Sequence, residues 1–246
     1  GSLSKAACGY HLAQGNNERP VTRLAVLPVA AKASVEQGLE AALESALAHW
    51  LYHDEIWLRG NAKAKAEILL AIARVRHALV LFGGIVPRKA TTHLRALLND
   101  ADAVLLAADT ADEALFRTEV VGAKLALTEW LVQRGWRPFI NEAGEKKIAG
   151  SFKRFADIHL SRVAAELRSA VQHLAVEDAA DQLPKLSRDI DSVQLLAGAY
   201  GDAVAPWLEN WQELQRAIEH DDRSVFEYFR RQALAAEPFW LHSGKR

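Results

Sequence analysis

Between Arg59 and Arg95 the chain sets Arg59, Lys63, Lys65, Arg74, Arg76, Arg88, Lys89 and Arg95 against a single acid, Glu67, although its formal net charge is only -1. A second group follows, with Lys153, Arg154, Arg162 and Arg168, and then Lys185 and Arg188. A guanidinium donates two parallel hydrogen bonds to phosphate oxygens and a lysine acts as a mobile point charge, so both groups have the chemistry of an oligoanion site. His77, His93 and His159 fall within the same stretches and can line or tune such a surface. Asp157, Glu166, Asp189 and Asp191 lie among the second group, so an anion can bind only where the fold separates the signs. The competing reading of either group is a solvated charged face with no ligand.

Other chemistries find less support. His49 and His53 are spaced to share a helical face and could hold zinc, but no HExxH motif accompanies them and no third ligand is apparent. His53 falls on the apolar stripe of its helix and His159 between Phe155 and Val163, so both also read as packed core histidines. Cys8 is the sole cysteine, which excludes an internal disulfide and multi-cysteine metal sites. No glycine-rich phosphate loop, nucleophile elbow or dinucleotide fingerprint occurs. The near-neutral charge argues against indiscriminate binding along nucleic acid. No apolar run approaches the roughly 18 residues of a membrane span. A cytoplasmic setting is expected.

The elements that must position the cations are helical. Ser34 and Gln37 form a capping box opening a helix with the stripe Val35, Leu39, Ala42, Ala46, Trp50 and Trp57, which Gly60 can close. Ile68, Ile72, Val75, Leu79 and Phe82 make the stripe of the next helix, leaving its cations beside or opposite the core. Gly83 and Gly84 end it, and Pro87 starts a third helix carrying Arg88, Lys89, His93 and Arg95. Thr110 with Glu113 predicts a second capping box and a helix buried through Phe116, Val120, Ala123, Leu127 and Trp130, closed by Gly135.

Trp136 to Gly150, with Pro138 and Gly144, reads as a break between halves. Ser151 opens a long helix with Phe152, Phe155, Val163 and Ala170 inward. A helix over about 180–200 buries Leu183, Leu186, Ile190, Val193 and Ala197, and two more follow near 206–220 and 224–236. Displacing the sequence by 114 residues sets Arg74 on Arg188, Leu79 on Val193 and Gly84 on Gly198, a faint internal repeat.

The stretches YHDEIWLRGN, VRHALVLFGGIVPRKATTHLR, KLALTEWL, SFKRFADIHLSR, RDIDSVQLLAG, WLENWQ and EPFWLHSGKR resemble the CHAD domain of bacterial CYTH-CHAD inorganic triphosphatases. The resemblance runs from about residue 30 to 246, and residues 1–15 look like the last piece of a preceding CYTH domain. It implies an all-α fold of two four-helix bundles with pseudo-twofold symmetry. A linker at 16–32 then leads into a CHAD domain at 33–246, with halves at about 33–135 and 147–246.

It also implies polyphosphate binding without catalysis, through Arg74, Arg76, His77, Arg88, Lys89, His93, Arg95, Lys153, Arg154, His159, Arg162, Lys185 and Arg188. Where the family carries HxxRxxxRRxR, this chain has Ala66, Leu69 and Ala73 and keeps Arg74 and Arg76. No metal or cofactor is implied for these residues; Mg²⁺ or Mn²⁺ belongs to the CYTH domain, whose ExExK motif is absent here. The alternatives are a scaffold for that catalytic domain acting in cis, an independent hydrolase, and an RNA binder.

Overall fold

A computed structural model describes residues 19–242, and among these the regular structure is ten α-helices with short 3₁₀ turns and no strand. The all-α expectation is met. The first helix, α1 (Val35–Leu58), opens on the capping box: Ser34 N donates to Gln37 Oε1 at 2.9 Å and Gln37 N to Ser34 Oγ at 3.1 Å. Its expected stripe is buried throughout. Gly60 closes it at φ 102°, a left-handed conformation that glycine adopts without strain.

Helix α2 (Ala64–Leu81) buries Ile68, Ile72, Val75 and Leu79 as expected, with Phe82 just beyond its end. It is enclosed on a second row as well. Glu67, Ala71, Arg74 and Ala78 are all buried, and Arg74 is only 2% exposed. The expectation that the cations of this helix stay clear of the core therefore fails at Arg74, which lies on this second enclosed row between two buried alanines.

The chain divides into two compact units that are discontinuous in sequence and so differ from linear halves. The first takes Glu44–Val75 and Arg88–Arg137 with the residues up to Leu24; the second takes Ala25–Leu43, Arg76–Pro87 and the chain from Pro138.

In the first unit, α3 (Arg88–Ala107) packs through Leu94, Leu98, Ala101 and Leu105 against α5 (Thr118–Val132). The predicted capping box at Thr110 does not form. Thr110 makes no side-chain cap, and Glu113 Oε2 instead accepts from Asp109 N at 3.0 Å. Only one turn, α4 (Ala111–Ala114), follows before the chain breaks, so Phe116 falls out of register and is 69% exposed. At the end of α5, Arg134 takes the left-handed conformation at φ 50°. Gly135 is required for another reason: a Cβ there would lie 2.2 Å from the Trp130 ring.

The second unit contains a helix that the sequence reading missed, α6 (Glu142–Ile148), capped by Asn141 Oδ1 accepting from Gly144 N at 2.8 Å. Ser151 caps α7 (Phe152–Val171) through its hydroxyl, which accepts from Arg154 N at 3.3 Å. The starts of α7 and α1 are joined by backbone bonds, Val35 N to Gly150 O and Phe152 N to Ala33 O, each 2.9 Å. Phe152, Ala156, Leu160, Val163, Leu167 and Val171 are buried, while Phe155 and Ala170 are only half-buried.

Helix α8 (Leu183–Leu196) is shorter than predicted, because Pro184 in its first turn begins the α-helix and only 3₁₀ turns flank it. Two further helices, α9 (Val204–Glu219) and α10 (Arg223–Ala235), complete the unit, with Trp207, Trp211 and Phe226 buried. Arg230 donates to Val171 O and Gln172 O at the end of α7, at 3.2 and 2.7 Å. Trp240 Nε1 donates to Ser161 Oγ at 2.9 Å.

The described part of the expected linker is anchored rather than loose. Leu27 is buried and its N–H donates to Gln194 O at 2.9 Å. Gly198 permits this crossing, since a Cβ there would lie 1.9 Å from Leu27 O and 2.8 Å from Val29 N, both backbone atoms. The expected CYTH remnant at residues 1–15 lies outside the described residues. Gly198→Ala should therefore lower stability by about 1–3 kcal/mol through overpacking, read as a lower urea midpoint. An unchanged midpoint would mean that the crossing at Leu27 contributes little.

Candidate anion-binding cavity

Helix α7 presents Arg154, Ile158, Arg162 and Glu166 along one row at intervals of four, next to Phe155 and His159. The buried row behind it and the Ser151 cap fix that orientation. This face forms one wall of a cavity of about 770 Å³, lined entirely by residues of the second unit. His77, Val80 and Leu81 from α2, followed by Gly84 and Ile85, form another wall. Lys146 and Lys147 close a third side from the last turn of α6, and Arg188, Asp189 and Ser192 come from α8.

The cations of this cavity fall into two classes. Arg154, Arg162, Lys146 and Lys147 make no side-chain ion pair with any described residue. Arg188 is held by its own acids, with Nε 3.3 Å from Asp189 Oδ1 and a terminal nitrogen 3.6 Å from Glu166 Oε2. Asp189 is 2% exposed and its Oδ2 receives no hydrogen bond. Burial first, and then the nearby Glu166 carboxylate, push its carboxyl up to about 6 against the opposing pull of Arg188. A proton on Asp189 would serve both carboxylates.

The histidines act as neutral or oriented groups. His77 Nδ1 lies 2.7 Å from Asp191 Oδ2, so its ring is fixed by that carboxylate. His159 packs 4.0 Å from the Phe155 ring, and burial, followed by the Arg162 charge, lowers its pKa. It offers a phosphate a neutral N–H rather than a positive charge. His159 is thus a wall residue, where the sequence had suggested either core or site.

Of the residues singled out in the sequence, the structure gathers His77, Arg154, His159, Arg162 and Arg188 at this cavity. Arg74 is buried in the first unit. Arg76 is half-buried beside His77 without lining the cavity. Arg88, Lys89, His93 and Arg95 belong to the first unit, where Arg95 folds back on its own helix to Thr91 Oγ1 at 2.9 Å and Arg88 O at 3.2 Å. Lys153 turns aside to the Tyr200 ring, 4.9 Å away, and to Asp157 at 3.9 Å. Lys185 is half-buried on α8 without lining the cavity.

Lys146 and Lys147 were missed. The signal for them was the order of charges in EAGEKKI, acids in the first turn and bases in the last, which is how a short helix complements its dipole.

The histidine pair considered for zinc is excluded as a ligand set. His53 is fully buried, donates from Nδ1 to His49 O at 2.7 Å and accepts at Nε2 from Thr22 N at 3.2 Å, so both ring nitrogens are used. Burial lowers its pKa. Among the described residues no cluster of three metal-binding side chains occurs.

The raised carboxyl of Asp189 makes a stability prediction. A carboxylate whose folded pKa is raised costs stability when ionised, and that cost disappears as pH falls from above about 6 toward the unfolded value. Asp189→Asn should therefore stabilise the protein at pH 8, by on the order of 1–3 kcal/mol, with the advantage fading toward pH 4. Urea unfolding of both forms across this range tests it, and a destabilised variant at pH 8 would show that the Arg188 pairing outweighs the burial cost.

Comparison with known proteins places this geometry in a family. The crystal structure of the CHAD domain from the plant Ricinus communis is similar with a TM-score of 0.61 at 16% sequence identity, covering 91% of this chain and 89% of that one. At that identity the likeness is one of fold. Residues 41–231, well over half of the sequence, match the CHAD domain family, to which the chain therefore belongs.

Proposed function

We propose that this CHAD domain is a noncatalytic module that binds polyphosphate or a similar oligoanion in the cavity of its second unit. The observation that carries the reading is the set Lys146, Lys147, Arg154 and Arg162, cations without carboxylate partners among the described residues, around one concave site. Each charge-assisted hydrogen bond to a phosphate oxygen contributes about 1.5–3 kcal/mol, so a few suffice for a phosphate chain. Arg188 joins when the ligand's charge displaces Glu166, the exposed one of its two acids. Binding weakens with salt, because each neutralised phosphate releases counterions.

The proposal is tested by titrating tripolyphosphate at about 50 mM salt, the permissive end of the range for phosphate binders. The double reversal Arg154→Glu/Arg162→Glu should lower affinity at least tenfold and flatten the salt dependence. The matching reversal Arg88→Glu/Lys89→Glu, in the first unit, should leave affinity unchanged. The opposite pattern would move the site to the first basic helix pair.

Residence in the cytoplasm, beside a CYTH triphosphatase domain that uses Mg²⁺ or Mn²⁺, is part of the same proposal and rests on the resemblance of residues 1–15 and of the stretches quoted above. No helix among the described residues is long and apolar enough to cross a membrane.

One observation favours a second reading, a scaffold that docks the catalytic domain. Helix α5 leaves Val121, Leu125 and Val132 exposed by 36, 64 and 76% along one side. In a chain carrying both domains, Leu125→Asp/Val132→Asp should then alter hydrolysis while tripolyphosphate binding by the CHAD domain stays intact. Unaltered hydrolysis would dismiss the scaffold.

A further inference from the structure

The cavity carries a feature that a bare phosphate chain leaves unused. Val80 and Ile158 line it, yet they are 69% and 56% exposed. Leu81, Ile85 and Val163 also line it. Ile158 lies four residues from both Arg154 and Arg162 on α7, so one helical row reads cation, aliphatic, cation. A volume of about 770 Å³ also falls in the range of sites for compact organic ligands, about 300–1,000 Å³.

On this basis we infer that the cavity takes an amphiphilic anion, a phosphate group held by Arg154, Arg162, Lys146 and Lys147 with an aliphatic chain laid over Ile158 and Val80. This inference names the ligand class for the site proposed above and rests on that reading.

The aromatic side chains favour this ligand over the other obvious amphiphile, a nucleotide with a stacked base. The Phe155 ring is stacked on Phe82 at 4.9 Å and 16°, and has Phe152 at 6.1 Å and His159 at 4.0 Å as further ring neighbours. Phe155 is thus already packed against other rings, which leaves a base less to stack on. What the wall offers is exposed aliphatic surface, which gains by removing a hydrocarbon chain from water. A phosphate chain laid over Val80 and Ile158 would gain nothing comparable there.

The test is a homologous series of methyl, butyl, hexyl and octyl phosphate, each kept below micelle formation, with tripolyphosphate as the tail-free reference. Full burial of a methylene corresponds to about a fourfold gain in affinity, so a gain of about twofold or more per methylene is expected. Val80→Asn/Ile158→Asn changes exposed positions; it should flatten the series while leaving tripolyphosphate affinity within twofold of wild type. Arg154→Glu/Arg162→Glu should weaken every member alike.

Affinity independent of chain length, or a series that Val80→Asn/Ile158→Asn leaves unchanged, overturns the amphiphile while the oligoanion reading stands. Absence of binding by both tripolyphosphate and the whole series overturns both. Binding only to vesicles containing phosphatidic acid, with no soluble alkyl phosphate bound, also overturns it, because the interaction would then be with a charged surface and not with a ligand in the cavity.

Discussion

The site depends on the angular register of α7. Its buried row, Phe152, Ala156, Leu160, Val163, Leu167 and Val171, and its open row, Arg154, Ile158, Arg162 and Glu166, are set about a third of a turn or more apart. A slip of one residue would rotate the helix by roughly 100° and carry guanidinium groups toward the core, where an unpaired charge costs several kcal/mol. Three local devices hold the register: the Ser151 hydroxyl cap, the two backbone bonds to Ala33 and Val35, and the Phe152 ring. That ring occupies space which any Cβ at position 38 would enter, 2.2 Å from the ring. Burial and capping thus do the work of aiming the cations.

Within that frame, charge separation decides which cations can act. Arg154 and Arg162 stand on the same helix as Asp157 and Glu166, but Asp157 turns to Tyr200 and Lys153 while Glu166 turns to Arg188. Asp157 is thus occupied outside the cavity, while Glu166 stays in its wall and spends its charge on Arg188. Asp189 shows the cost of such sorting: it is buried close to a second carboxylate, and its proton affinity rises accordingly. The two acids near Arg188 also make it the one cavity arginine whose charge is internally balanced.

What was legible in the sequence was whatever repeats along a helix or sits at its ends. The stripes of α1 and α2, the Ser34 box, the Gly60 stop and the Ser151 start all follow from local rules, and each appears where those rules put it. The misses share a different origin. Phe116 fits the apolar spacing of a continuous helix but is expelled by a chain break that periodicity cannot see. Helix α6 is too short to show a period. Grouping cations by sequence density put Arg88, Lys89 and Arg95 together with Arg154, Arg162 and Arg188, whereas the cavity has only the latter three in its lining and adds Lys146 and Lys147 by packing.

The internal repeat shows why equivalence of position is not equivalence of role. The displacement of 114 residues that equates Arg74 with Arg188 also equates His77 with Asp191, and the latter two are hydrogen-bonded at 2.7 Å. The two arginines nevertheless diverge, Arg74 being 2% exposed while the Arg188 side chain is 44% exposed on the cavity wall. The difference lies in their neighbours along the helix. Arg74 shares its row with Ala71 and Ala78, and all three are buried. Three and four residues before Arg188 stand Lys185 and Pro184, and four after it Ser192, whose hydroxyl donates to Arg188 O at 2.9 Å. The Arg188 side chain stays open on the cavity wall, so the surroundings of each helix face, and not the correspondence of position, set how far an arginine is buried.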